Sequence, residues 1–314
     1  MLWKPIGPAA GAAMIGALIT VQANGSQESL ETEVAAVYSD AGVRMSRVRL
    51  NTGVELQVAE SGPTDGDPVL FLHGFTDSWF SFSPILDKLS PNIRAIVPTH
   101  RGHGDSERPR CCYRMEDFAA DAVALMDALG IERASVVGHS MGSFVAQRIA
   151  IDHPDRVHRL VLIGSGATGN TEAVRAFSDV VQTLPDIVAL DFIREFQQST
   201  AVEPLPETFL NGVVRETSKL PGWLWRDALA GILAMDAEDE LHRIQASTLI
   251  VWGVHDELML RADQDALLRA IPRARLLSYP DMGHSPNWEQ PARFAADLNE
   301  FLSTTEPADA SRAG

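Results

Sequence analysis

Short apolar runs recur along the chain at residues 69–72, 95–97, 134–137, 160–163 and 248–252. A segment apolar at every position suits a strand buried on both faces, not one with a wet side. Helical stretches separate these runs. Over residues 115–129 the apolar positions Phe118, Ala122, Leu125, Met126 and Leu129 fall on one face, and Gly130 supplies the stop. Strand and helix in alternation predict an α/β fold, a mostly parallel central sheet with helices on both faces joined by right-handed crossovers. Ahead of it, alternating positions at 46–50 and 54–59 flank Asn51-Thr52-Gly53 and predict an opening β-hairpin. Asp65-Gly66-Asp67-Pro68 then breaks the chain before the first buried strand.

One interval interrupts the alternation. Residues 168–239 carry helical segments but no buried strand, with Phe177, Phe192, Phe196, Phe209, Trp223 and Trp225 spread through them. This reads as a helical cap inserted into a core formed by 46–167 and 240–302. Its rings either roof a pocket or pack the cap onto the core. Residues 303–314 are small and polar and read as a disordered tail. Residues 24–45 read as an acidic N-terminal linker or helix. Before them, Lys4 precedes an apolar run from Ala9 to Val21, and small residues surround Ala23, so 1–23 resembles a secretory signal. Export to the periplasm or medium is the expectation, with a cytoplasmic N-terminal helix as the alternative. The run is too short for a stable membrane span, and no other stretch approaches that length.

Composition narrows the partners. A chain of 314 residues, 45% hydrophobic and 22% charged, fits one large domain with an insert and room for a deep pocket. Its net charge of -16 repels phosphate backbones, which argues against nucleic acid and favours small neutral substrates. The two cysteines, Cys111 and Cys112, are neighbours, so they cannot staple distant segments, and the expectation is two free thiols in a loop.

The chemistry starts at Gly138-His139-Ser140-Met141-Gly142, which follows the apolar Val136-Val137 and opens a helix-compatible segment. This is the pattern of a nucleophile elbow, where a serine sits at the tip of a tight strand-to-helix turn. The helix N-terminus behind it favours developing negative charge. A serine hydroxyl needs a base to take its proton, and the base needs a carboxylate to fix its tautomer. Asp256 follows the strand-like 249–252, and His284 follows the strand-like 275–278, so both fall on the same rim as Ser140.

From about residue 46 to 302 the chain resembles the α/β-hydrolase family, in its cap-bearing esterase and C–C hydrolase branches. The resemblance rests on His73-Gly74 after a strand, the elbow, the Gly-x-x-Asp loop at Asp256 and the pair Gly283-His284. It implies an α/β-hydrolase fold with Ser140 as nucleophile, His284 as general base and then acid, and Asp256 as orienting carboxylate. Glu257 is the nearest rival for the acid, and Asp281 lies too close in sequence to His284 to reach back. His153, His158, His242 and His255 read as surface or packing residues. The oxyanion donors implied are the backbone amides of Met141 and Phe75. His139, Trp223 and Trp225 are candidate substrate-binding residues.

A metal reading of His100 and His103 fails for want of a third ligand, and Arg101 between them would repel the cation. The resemblance implies an acid two residues before Arg101-Gly102, where this chain has Thr99, which leaves the anchoring of that loop open. Serine at 140 argues against the alkyl-enzyme chemistry of dehalogenases and epoxide hydrolases. The expected activity is a carboxylesterase acting on a small-molecule ester through an acyl-enzyme, with no metal or organic cofactor. C–C hydrolases, lactonases, perhydrolases and acyltransferases use the same triad and stay open, as does a small-molecule receptor. The sequence carries no signal for oligomeric state.

Overall fold

A computed structural model describes residues 42–304. The signal-like residues 1–23, the rest of the segment up to 41 and the tail from 305 lie outside the described residues. The opening hairpin forms as β1 (Arg44–Arg49) and β2 (Glu55–Ser61), antiparallel, with Val48 opposite Leu56. β1 therefore starts inside the stretch read as linker. Arg44 and Met45 are exposed on an edge strand, so no buried position marked its beginning.

The remaining strands are β3 (Asp67–Leu72), β4 (Ile93–Pro98), β5 (Ala134–His139), β6 (Val157–Ile163), β7 (Ser247–Gly253) and β8 (Ala274–Tyr279). They form one sheet in the order β1-β2-β4-β3-β5-β6-β7-β8, antiparallel over the first three and parallel beyond. Leu160, Val161, Leu162 and Ile163 have no solvent exposure, as continuous apolar runs require. Each such side chain contributes about 1.5–3 kcal/mol when fully buried.

The chain moves from β3 outward to β4 and then returns to the other side of β3 for β5. That reversal opens a crevice at the carboxyl ends of β3 and β5, where open α/β sheets hold their ligands. Helix α1 (Met115–Ala128) packs against α2 (Met141–Asp152), which in turn covers β3, β5 and β6.

Between β6 and β7 the chain forms α3 (Glu172–Val181), α4 (Leu190–Gln198), α5 (Glu207–Thr217) and α6 (Gly222–Leu233). The two ends of this excursion are tied together by a bridge between Thr168 and Asp236, and Thr168 Oγ1 donates to the Met235 carbonyl at 2.9 Å. Helices α7 (Arg261–Ala270) and α8 (Pro291–Ser303) complete the layers.

Cys111 and Cys112 are joined to each other, in place of the two free thiols expected. Adjacency rules out a long-range staple but not a bond within the pair, and Cys112 accommodates it with φ 78°. The loop carrying Thr99 is anchored without an acid at that position. Arg101 forms a two-pronged pair with Asp121 on α1, both contacts at 2.6 Å, and donates to the Cys112 carbonyl at 3.0 Å. Ser106 Oγ closes the loop on the Thr99 carbonyl at 2.6 Å.

Candidate active site

Ser140 caps α2 at φ 52° and ψ -120°, a left-handed backbone that a non-glycine residue adopts only when its surroundings enforce it. The enforcing contact is close approach. A Cβ at Gly142 would lie 2.1 Å from the Leu72 carbonyl oxygen, so only glycine lets α2 start against β3. The Ser140 amide donates to the Ile163 carbonyl at 2.9 Å, which pins the turn to the end of β6. Met141 is the first residue of α2, so its amide has no carbonyl one turn behind it.

Strand register brings the other groups to this edge. Ile163 pairs with Val251, and Gly253 with Tyr279, so the loops after β7 and β8 emerge beside the elbow. Asp256, 4% exposed, accepts at Oδ1 from the amides of Leu258 at 2.9 Å and Met259 at 3.0 Å. Its Oδ2 accepts from Nδ1 of His284 at 2.8 Å. Gly164, one residue past the carbonyl that holds Ser140, is where the His284 ring packs. A Cβ there would stand 2.8 Å from Nδ1. Ser140 and the Asp256–His284 pair thus lie at the same edge of the sheet, at the ends of β5, β7 and β8. Buried His284 Nε2 has no hydrogen-bond partner within the chain.

Burial alone would lower the His284 pKa. The charge and hydrogen bond of Asp256 outweigh it, with Asp77 and Glu289 adding, and the net direction is upward. The His284 backbone is held on both sides: its amide donates to the Thr200 carbonyl at 2.9 Å, and its carbonyl lies 3.2 Å from His139 Nε2.

His139, expected to touch substrate, instead supports the His284 loop, with its ring 5.4 Å from that of His284 and 5.6 Å from Trp288. Burial and then the nearby His284 push its pKa down to about 3, so the ring is neutral.

The two tryptophans of α6 divide. Trp225 has no exposure, and its ring meets Phe75 edge-on at 5.4 Å and Phe196 at 5.4 Å. Trp223 is half-buried and its ring meets that of Tyr113 at 6.0 Å. Residues two apart on a helix point to nearly opposite sides, so both could not enter one pocket. Phe75 joins the same cluster through Phe177 at 6.2 Å and Phe196 at 6.1 Å.

The rival residues lie elsewhere. Glu257 is exposed, Asp281 bonds Gln290 and Arg293, and His153, His158, His242 and His255 are exposed. His100 and His103 pack with His73 in a buried group whose closest ring centroids are 4.3 Å apart. His73 Nε2 accepts from the His100 amide at 2.9 Å, and His103 Nδ1 donates to the Arg101 carbonyl at 2.9 Å. Burial lowers all three pKa values.

Residues that the sequence did not single out tie the helical insert to the site. Gln197 of α4, buried, donates from Nε2 to Thr217 Oγ1 at 2.8 Å and to Thr76 Oγ1 and Asp77 Oδ1 at 3.2 Å each. Glu289 accepts from the amides of Gly283 at 2.7 Å and Val202 at 2.8 Å. The one sequence signal for Asp77 was a carboxylate four residues past His73, on a strand-end loop.

Known proteins are similar to this chain in sequence and in fold. The 2-hydroxymuconate semialdehyde hydrolase of Pseudomonas sp. (strain CF600) is 30% identical over 283 residues, covering 84% of this chain and 96% of its own. Among solved structures, a thermophilic esterase from Thermogutta terrifontis superposes with a TM-score of 0.71 at 26% identity, over 82% of this chain and 98% of that one. A meta-cleavage product hydrolase from Pseudomonas fluorescens IP01 gives 0.69 at 25% identity, over 82% and 97%. Residues 67–291 match the family described as having the alpha/beta hydrolase fold, and at that extent the chain belongs to it.

Proposed function

We propose that the chain is a serine hydrolase that cleaves a small carboxylic ester through an acyl-enzyme. The observation that carries this reading is the polarised pair at 2.8 Å, Asp256 with His284, whose Nε2 is left without a partner, at the same sheet edge as a serine in a left-handed elbow. Asp256 holds the proton on Nδ1, which leaves Nε2 as the acceptor. His284 takes the Ser140 proton as Oγ bonds to the carbonyl carbon. The amides of Met141 and Phe75 receive the oxyanion. When the C–O bond breaks, His284 returns that proton to the departing alkoxide. Water then gives a proton to His284 and its oxygen to the acyl carbon, and the proton goes back to Ser140 as the acid leaves.

Turnover of p-nitrophenyl butyrate should fall by at least about 10³ in Ser140→Ala, since one residue of a cooperating set carries most of its effect. An unchanged rate in that variant would sink the mechanism. A second reading, C–C bond hydrolysis, is supported by the relative named as a 2-hydroxymuconate semialdehyde hydrolase. Cleavage of vinylogous diketones by a protein inert to esters would select it.

A further inference from the structure

The mechanism uses Asp256 and leaves a second buried carboxyl unassigned. Asp77, in the loop after β3, is 2% exposed. Gly74 sets its distance from the chemistry. A Cβ on Gly74 would lie 2.9 Å from Asp77 Oδ2, 3.2 Å from His139 Nδ1 and 3.4 Å from Ser140 Cβ. The Asp77 carboxyl and the Cβ of Ser140 therefore border one gap, about the width of the absent methyl group.

The elements packed around Asp77 offer it neutral groups or further acids. Helix α4 contributes the Gln197 amide, and the elbow contributes neutral His139. From α5 comes Glu216, whose cations are already engaged: Arg215 at 3.3 Å and Lys219 at 3.0 Å, with Lys219 also on Asp105 at 2.8 Å. Buried Arg101 is committed to Asp121. Among the described residues, the charge acting on Asp77 is that of His284, and no lysine or arginine acts on it. His284 itself faces three acids, Asp256, Asp77 and Glu289.

The geometry points to Asp77 as a specificity-determining residue that makes the pocket select uncharged acyl groups and reject those bearing a carboxylate near the scissile carbonyl. This rests on the hydrolytic reading of Ser140. An anionic group about 6 Å from a carboxylate, at an effective dielectric of about 20, is disfavoured about a hundredfold. Burial raises the Asp77 pKa to about 7, against the smaller opposing effects of Gln197, Gly74 and His284. A carboxyl with a raised pKa is neutral below that value and charged above it, so the discrimination grows as pH rises. Titration of His284 is common to all substrates and cancels in a ratio of rates.

The test compares kcat/KM for p-nitrophenyl hexanoate and p-nitrophenyl hemiglutarate from about pH 6 to about pH 9. The wild type should prefer the hexanoate about a hundredfold at the alkaline end and less at the acid end. In Asp77→Asn and Asp77→Ser the preference should shrink at least about tenfold and lose its pH dependence. A wild-type ratio that is near one or flat with pH overturns the inference, and so does an equal ratio in the variants. Should both variants fail to fold, the wild-type pH series decides alone. A neutral fluorophosphonate separates the two levels. Labelling at Ser140 with a flat ratio removes the role of Asp77 and keeps the hydrolase, whereas no labelling and no turnover overturns both.

Discussion

Replacing Asp256 by asparagine separates two things that this side chain does. Oδ1 accepts two backbone amides, from Leu258 and Met259, and Oδ2 accepts the His284 Nδ1 proton. Asparagine keeps one acceptor oxygen. Turning it toward the two amides preserves the loop and presents the NH₂ group to His284. Nδ1 must then accept, the ring proton moves to Nε2, and the atom that should receive the Ser140 proton carries one of its own. A reversed tautomer of this kind costs about 10⁴ in kcat, equivalent to about 5.5 kcal/mol of barrier.

Stability responds differently. Asparagine leaves both backbone amides bonded, whereas Asp256→Ala strands the buried Met259 donor at about 1–3 kcal/mol and the part-buried Leu258 donor at less. Ester turnover with thermal melts of the two variants tells these effects apart. The expected result is two nearly inactive proteins, with the asparagine variant melting close to wild type and the alanine variant well below it. Asp256→Asn retaining more than about a tenth of wild-type kcat would refute the tautomer argument. A pH series adds a signed check. The folded pKa of His284 is raised above its ordinary 6.5, so its pairing with Asp256 contributes stability that is fully present below 6.5 and fades as pH rises through the folded value. The melting gap between wild type and Asp256→Asn should therefore be widest at mildly acidic pH.

Two further outcomes follow from the site. Because His284 must be neutral to accept the Ser140 proton and its pKa is raised, the acid limb of kcat/KM should have its midpoint above 6.5, and a midpoint below that value contradicts the Asp256 pairing. Trp225→Ala should cost about 3–5 kcal/mol in urea unfolding as it vacates the cluster with Phe75 and Phe196, whereas half-buried Trp223→Ala should cost about 1 kcal/mol or less. Equal losses would show that the division between the two rings is misplaced.

Much of the fold was legible because its signals are local. Continuous apolar runs announce strands buried on both faces, and 69–72, 134–137 and 160–163 sit inside β3, β5 and β6. Ser140 was legible for the same reason, since an elbow needs glycine at fixed offsets on one short turn, and the contact of Gly142 with Leu72 is the physical requirement behind it. Asp256 and His284 were legible as strand-end residues, though their 2.8 Å contact depends on the register of β7 and β8.

What the sequence left undecided were side-chain directions and contacts between distant segments. His139 looked like a pocket residue by its place in the elbow and Trp223 as a ring of the helical insert, but the packing turned one to the His284 backbone and the other to Tyr113. The bond between Cys111 and Cys112 depends on a left-handed residue that no composition reveals. Asp77 gained its place when Gln197, 120 positions away in sequence, folded over it. Sequence by itself determined which backbone segments reach the rim, because hydrophobic period and glycine placement act within a few residues. The tertiary structure alone decided what charge the rim presents, because that depends on which carboxyls are buried together and which cations are already taken.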